Sequence, residues 1–475
     1  MKRGTPVLTP AQEVLVHLPT EGQFLVRGAA GSGKSTVALA RALHLARQPL
    51  LHGESRVLHI ARAPARAPAR AQGVPAVAQL VETSTLTAWC QRFVADGGET
   101  PALLTTAESA AIVETALDLV RRRSRSQVLR RPLSFFTTEI ESMLLALGAQ
   151  RFEDYTPLAR EGRGSSLEDE PRRAVFSVYE EFRALARRLS KSPPLALASA
   201  ALARLAAGRA PPYDHVVVDD AHLLAPIELK LVRGLAAGGS LTLFAALEQR
   251  FDPLASSLRE LGLARLDRTE VLPRVVRGPA PIFAAALALL RRPGAADLNG
   301  LKAILPGTIE GPKPRLVLCA SWEGELDALV AEVTRLRGEE RPLAEIAVLA
   351  ASAQVLELAA ATLRRAELAD GVAFVPLEQT AGREFQVVLL LDVNRGCFPR
   401  SRAALAAHER ASADDDGRRA LYLAMTRATE ELVLFATEGT RSPLLPMKKL
   451  AVEKFGAAAP RGDATADPAS ETATA

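Results

Sequence analysis

The chain has 475 residues, 48% of them hydrophobic, and a net charge of +5 at neutral pH. A single core does not grow to that length, so two or three domains are expected, and no apolar run approaches the roughly 20 residues of a membrane span. Cys90, Cys319 and Cys397 are odd in number and far apart, which argues against a disulfide frame or a zinc site.

The N-terminal MKRGTPVLTPAQ lacks the apolar core of a signal peptide, so a cytoplasmic protein without a membrane partner is expected. Charge is unevenly spread. Residues 1–210 carry 28 basic and 19 acidic side chains, a net of +9, whereas residues 211–475 carry 31 and 35, a net of −4. A basic N-terminal half suits a polyanion such as nucleic acid. Composition tempers that reading, because 50 of the 59 basic residues are arginine in an alanine-rich chain.

In chain order, Thr9 is placed to cap a helix that Pro10 can start, and Gln12 lies 22 residues before Lys34. Phe24-Leu25-Val26 reads as a buried strand, and the Ala/Leu pattern over 37–46 reads as a helix. Between them GAAGSGKS, residues 28–35, spells G-x-x-x-x-G-K-S, a complete phosphate-binding loop in its strand–loop–helix context. Gly28, Gly31 and Gly33, with Ser32, let backbone N–H groups turn inward on phosphates at a helix N-terminus. Lys34 would reach the outer phosphates of ATP, and the Ser35 hydroxyl would hold Mg²⁺.

A second strand over 56–60 runs into ARAPARAPARAQ, residues 61–72, a four-residue repeat carrying Arg62, Arg66 and Arg70. Proline at every fourth position forbids a regular helix there. The repeat is either a low-complexity surface loop or an arginine-studded phosphate contact. From 91 to 210 the pattern is helical and charged, with heptad-like apolar spacing (Ile112, Leu117, Val120; Val175, Val178, Phe182, Leu185), and reads as a helical insertion.

Residues 213–220 form an apolar strand ending in Asp219 and Asp220. A phosphate-binding loop requires such a strand, because Mg²⁺ needs an acidic partner and the attacking water needs a base. A third strand over 241–244 ends near Gln249. After residue 276 a second α/β unit is expected, with strands at Arg315–Cys319, Ile346–Ala350 and 387–391. The end of the chain, Ala-, Thr-, Asp- and Pro-rich from Gly456, is expected to lack fixed structure.

Over roughly residues 5–440 these pieces, in this order, resemble the UvrD/Rep family of superfamily 1 DNA helicases. TPAQ resembles the family's adenine-reading Q motif and GAAGSGKS its motif I. VVVDDAH resembles motif II, usually Asp-Glu-x-Gln, and Gln249 falls at the motif III glutamine. LPRVVRGPAPI places Arg277 at the motif IV arginine. LEQTAGREFQVV resembles motif V, and RRALYLAMTRATEELVL resembles motif VI. The resemblance implies that Lys34, Ser35, Asp219 and Mg²⁺ hold the triphosphate. It implies Asp220 as the general base, Gln249 as a coupler to DNA, Arg277 and Arg427 as arginine fingers, and Glu384 as a ribose contact. It also places Gln12 at the adenine and Thr36 beside it.

The departures from the family have a pattern. The phosphate side is nearly intact, with Asp220 where Glu is usual. Around the base, Thr36 replaces an arginine and Val276 a tyrosine. On the presumed DNA face, motif Ia has become ARAPAR, the motif Ib phenylalanine and histidine appear as Ser84 and Thr85, Ala245-Ala246 replaces Gly-Asp, and Glu378 and Ala381 replace the His and Lys of motif V. Arg62, Arg66, Thr83 and Thr85 remain as candidate nucleic-acid contacts. The accessory subdomain between motifs IV and V has no room in AELADGVAFV, residues 366–375.

The expected fold is therefore α/β, two RecA-like P-loop NTPase domains with parallel sheets. The first occupies 1–90 and 211–275, with 91–210 inserted as a helical subdomain. The second occupies 276–445, and 446–475 is a tail. The leading function is an ATP-dependent DNA translocase or helicase binding single strands weakly. The alternative is an ATP-switched, helicase-like subunit that clamps a protein partner such as a nuclease of a phage-defence system or RNA polymerase.

Overall fold

A computed structural model describes residues 8–50, 53–61, 81–95, 101–157, 167–208, 213–236, 239–246, 266–276, 278–290, 307, 309–380, 383–399 and 407–456. Helix α1 (Pro10–Val16) starts as its sequence demands. Thr9 caps it, Pro10 occupies the first turn, and Gln12 completes a capping box. Strand β1 (Gly22–Gly28) follows, then α2 (Lys34–Ala46), β2 (Val57–Ile60), β3 (Val81–Ser84) and α3 (Leu86–Ala95).

The inserted subdomain is built from α4 (Thr106–Arg123), α5 (Leu133–Glu139) running into a π-helical turn (Ile140–Leu145), and α6 (Asp169–Arg188). Its own core gathers Ile112, Leu117, Val120, Phe136, Val175, Val178 and Phe182, with Leu185 packed at the margin. The expected heptad positions are thus its buried stripe. Helix α7 (Pro194–Ala206) differs from expectation. Leu197, Ala198 and Ala201 join the first domain's core beside Leu86, Trp89 and Cys90, so the 91–210 boundary is too wide. Apolar spacing announces a helix but not which core takes it.

The chain then returns through β4 (His215–Val218), α8 (Pro226–Leu235), β5 (Ser240–Ala246) and β6 (Arg268–Leu272). The first sheet has the order β6-β1-β5-β4-β2-β3, and every pairing is parallel. Alternation divides its side chains between two cores. Phe24, Val26, Val217 and Phe244 meet α1 and α2, while Leu25, Val216, Val218 and Leu243 meet α3, α7 and α8. A parallel sheet covered on both faces is a doubly wound α/β domain.

The second domain repeats the plan with α9 (Ala280–Leu290), β7 (Arg315–Cys319), α10 (Trp322–Gly338), β8 (Ile346–Ala350), α11 (Ala353–Arg365), β9 (Ala373–Pro376), β10 (Phe385–Leu390), α12 (Ala407–Met425), β11 (Ala428–Thr437) and β12 (Ala451–Lys454). Its order is β9-β8-β10-β11-β7-β12, again all parallel. The two sheets are RecA-like. Helix α11 ends at Arg365 and β9 opens at Ala373, so no further subdomain stands between them. Strand β12 pairs with β7 from Arg315↔Ala451 to Leu318↔Lys454. That corrects the boundary at 445, since the domain reaches Lys454; its pattern, largely exposed, carries no burial signal. Residues 457–475 of the expected tail lie outside the described residues.

Candidate functional site

The site is built where β1 ends. The chain turns at Gly31 (φ +74°) and Gly33 (φ +87°), and α2 starts at Lys34. A Cβ on Gly28 would stand 2.5 Å from Ser32 Oγ and 3.0 Å from Leu272 Cβ, and one on Gly33 would stand 2.4 Å from Gln12 Nε2. Only glycine admits both the backbone and the closeness. The Lys34 ammonium is buried and donates to the carbonyls of Gly28 and Ala29, each at 2.8 Å. Ser32 Oγ is buried with no hydrogen-bond partner among the described residues. A loop with an orphan hydroxyl, a buried ammonium and the N-terminus of a 13-residue helix fits an anion.

Strand β4 delivers the carboxylates. Asp219 N–H donates to Ile60 O at 2.9 Å, which extends the ladder by one residue. Asp220 then takes φ +55°, ψ +39°, and its N–H donates to Asp219 Oδ1 at 3.0 Å. A left-handed residue other than glycine costs about 1 kcal/mol, and Asp tolerates it better than most. Burial holds the Asp219 carboxyl well above the usual carboxylate range, and the Asp220 charge adds to that; the Ser35 hydroxyl and Lys34 pull it back. The Ser35 hydroxyl is near enough to act on the Asp219 carboxyl, although β5 stands between β1 and β4 in the sheet. A hydroxyl and a carboxylate side by side are the hard oxygen donors that suit Mg²⁺, so the residues present fit that ion.

His222 follows in the turn Ala221–Leu223. It is buried, and its Nδ1 accepts from Ala246 N–H at 3.1 Å, tying the carboxylate turn to the end of β5. Sequence reasoning passed over it; the signal was its place in VVVDDAH, where the family resemblance expects a glutamine.

Other expected site residues fall as follows. Gln12 is buried; its Oε1 accepts from Thr9 N–H at 2.9 Å and its Nε2 donates to Ser32 O at 3.0 Å, so its carboxamide braces the 28–35 loop. Thr36 lies in the first turn of α2, with its N–H on Gly33 O at 2.9 Å. Val276 comes to the loop from the connection to the second domain. Its N–H donates to Gly31 O at 2.9 Å, and its Cγ2 lies 3.5 Å from where a Gly33 Cβ would stand. Ala29 and Ala30 pack into the second domain's core with Val275, Phe283 and Met425. Arg427 is buried and donates to Leu423 O at 3.0 Å, Arg383 O at 3.1 Å and Thr426 Oγ1 at 3.2 Å, all in the second domain. The exposed Glu384 adjoins that anchor. Arg427 and Glu384 therefore share one corner. Gln249, Arg277, Arg62 and Arg66 lie outside the described residues.

The candidate nucleic-acid residues have local partners. Thr85 Oγ1 accepts from Ala88 N–H at 3.1 Å and caps α3. Thr83 Oγ1 lies 3.4 Å from His59 Nδ1. Among the described residues no helix is long and apolar enough to cross a membrane, and no three His, Cys, Asp or Glu side chains group as a metal site.

Residues 323–439 match the family model of the UvrD-like helicase C-terminal domain. Among solved structures, the C-terminal domain of a possible DNA helicase from Lactobacillus plantarum is similar, at 20% identity over 37% of this chain and 98% of that one, with a TM-score of 0.28. No curated protein matches the chain.

Proposed function

We propose, from the match of residues 323–439 to the UvrD-like helicase C-terminal domain, that the chain is an ATP-dependent DNA translocase or helicase of UvrD/Rep type, hydrolysing ATP between its two RecA-like domains. One juxtaposition carries the reading. Lys34, Ser35 and Asp219 converge at the ends of β1 and β4, while Val276, on the way to the second domain, is seated on Gly31.

In this reading the 28–35 loop and the α2 N-terminus receive the phosphates. Lys34 exchanges its two carbonyl partners for phosphate oxygens. Ser35 and Asp219 would hold Mg²⁺, which would supply positive charge against the phosphates. Asp220 takes a proton from the attacking water. Its left-handed backbone sets where the carboxylate points. Arg427 and Arg277 answer the charge that spreads over the transferred phosphoryl group, a task for a planar cation. Glu384 contacts the ribose, and Gln249 couples phosphate to DNA. The protein works in the cytoplasm, on single strands held weakly.

A second reading is an ATP-switched subunit that clamps a protein partner. The observation favouring it is Thr85, whose hydroxyl is occupied as a helix cap rather than presented to a ligand. Steady-state ATP turnover with and without oligothymidine tests both. A several-fold stimulation is expected of a translocase, and a subunit switch is expected to respond by less than twofold. No Mg²⁺-dependent turnover under either condition would refute the enzymatic reading.

A further inference from the structure

Away from that corner, a cavity of about 520 Å³ opens where the inserted subdomain meets the helices over the first sheet. Both units wall it. Leu145, Phe182 and Ala186 come from the insertion, Leu202 from α7 and Ile227 from α8. Gly148 forms the seam. At φ +77°, a Cβ there would come 2.7 Å from Ile227 Cδ1, so the two units touch along one wall and part along the rest. The size lies within the range of small-molecule sites, which are mostly apolar with a few fixed polar groups.

The charged part of the lining has one sign. Among the described residues, Arg183, Arg187 and Lys191 line the cavity and no carboxylate does. Two of these cations are already held. Arg183 donates from Nη1 and Nη2 to Gln150 O and Oε1, each at 3.0 Å, and lies over the Tyr179 ring. Lys191 is paired with Glu108. Arg187 is exposed and donates from Nε to Arg183 O at 3.2 Å. Its Nη groups make no hydrogen bond among the described residues. A planar fork with free donors beside an apolar wall selects a carboxylate or phosphate bidentately.

The ring faces decide against nucleic acid. Tyr179 and Phe182 are 1% and 0% exposed, so neither offers the open platform on which a base stacks. We propose that this cavity binds an amphipathic anion, an apolar body carrying one carboxylate or phosphate headgroup, with Arg187 holding the headgroup. The site stands apart from the nucleotide corner, so its test does not depend on ATP turnover.

Calorimetric titration of the full chain with decanoate and with decyl phosphate, each below its micelle concentration, tests it. Decanol and decyltrimethylammonium serve as the neutral and cationic counterparts. Binding of one or both anions is expected, at least tenfold tighter than either counterpart; which anion wins separates a carboxylate from a phosphate ligand. Arg187→Glu is expected to weaken the anion at least tenfold. Ala203→Trp, at an exposed lining position, is expected to block it without lowering the melting temperature. Arg188→Glu, exposed and outside the lining, is expected to leave binding unchanged. Decanol binding as tightly as decanoate, undiminished binding by Arg187→Glu or by Ala203→Trp, or no binding of either anion would overturn the proposal.

Discussion

Two parts of the first sheet treat their polar groups in opposite ways. At the ends of β1 and β4, Ser32 Oγ is buried without a partner among the described residues, Asp220 holds a left-handed backbone, and the Asp219 carboxyl is pushed upward by its surroundings. At the β3–α3 edge the polar groups answer one another. Thr85 caps α3, Arg92 reaches Ser84 and Glu82, and the Tyr213 hydroxyl donates to Glu82 while accepting from Trp89 Nε1 at 2.8 Å. Unsatisfied and strained groups persist where a ligand completes them. Satisfied ones are framework. On the proposed reading the first region holds the chemistry and the second is support.

The largest expected effect is at Lys34. Lys34→Ala removes the buried cation nearest the loop, and turnover is expected to fall by about 10²–10³-fold or more. A coupled assay on the purified variant checks it, and turnover within a few-fold of wild type would break the comparison at its strongest point. Asp220→Asn comes next. Asparagine accepts a left-handed backbone about as readily as aspartate, so folding is expected to be unchanged. General-base loss is worth about 10²–10⁴-fold. Single-turnover hydrolysis unaffected by that change would remove Asp220 from the chemistry.

Asp219 sharpens the contrast through stability. Its folded-state pKa is raised, so the native protein holds that proton more tightly than the unfolded chain, whose Asp titrates near 3.9. The stability this supplies is complete below the unfolded pKa and is lost as pH rises through the folded one. Asp219→Asn is therefore expected to abolish Mg²⁺-dependent turnover. In the same variant, the melting temperature at neutral pH without nucleotide is expected to rise by a few degrees at most. Melting curves from pH 4 to 8 test this. A variant that melts lower than wild type at pH 7.5 would mean that Asp219 is a structural anchor.

What the sequence made legible follows physical locality. The 28–35 loop and the Asp219-Asp220 pair could be read because the whole device lies within a few residues of a strongly apolar strand. The capping box at Thr9 and Gln12 is equally local, yet the bond from Gln12 to Ser32 spans 20 residues and could not be read. Strands β3 and β12 escaped notice for another reason. Val81–Ser84 and Ala451–Lys454 are short edge strands, the second largely exposed, and their identity resides in the neighbours they pair with. The same holds for α7, whose apolar stripe is plain but whose core is chosen in three dimensions. His222 was overlooked because a lone histidine after two aspartates has no pattern of its own.

The smallest expected effect bears on the second region. Thr85→Val keeps the shape of the side chain and deletes the oxygen that accepts from Ala88 N–H. Losing an N-cap costs about 1 kcal/mol, so the chain should melt lower by a few degrees at most. Thr85→Ser restores an acceptor at the same distance along the side chain and is expected to recover most of that loss. Neither change should alter oligothymidine affinity or its effect on ATP turnover by more than twofold, because the hydroxyl is turned into its own helix. Filter binding at two salt concentrations separates the outcomes, since a phosphate contact also shifts the salt dependence. If Thr85→Val melted like wild type but bound oligothymidine several-fold more weakly, the β3–α3 edge would be a nucleic-acid grip, and the division between a chemical corner and a structural edge would fail.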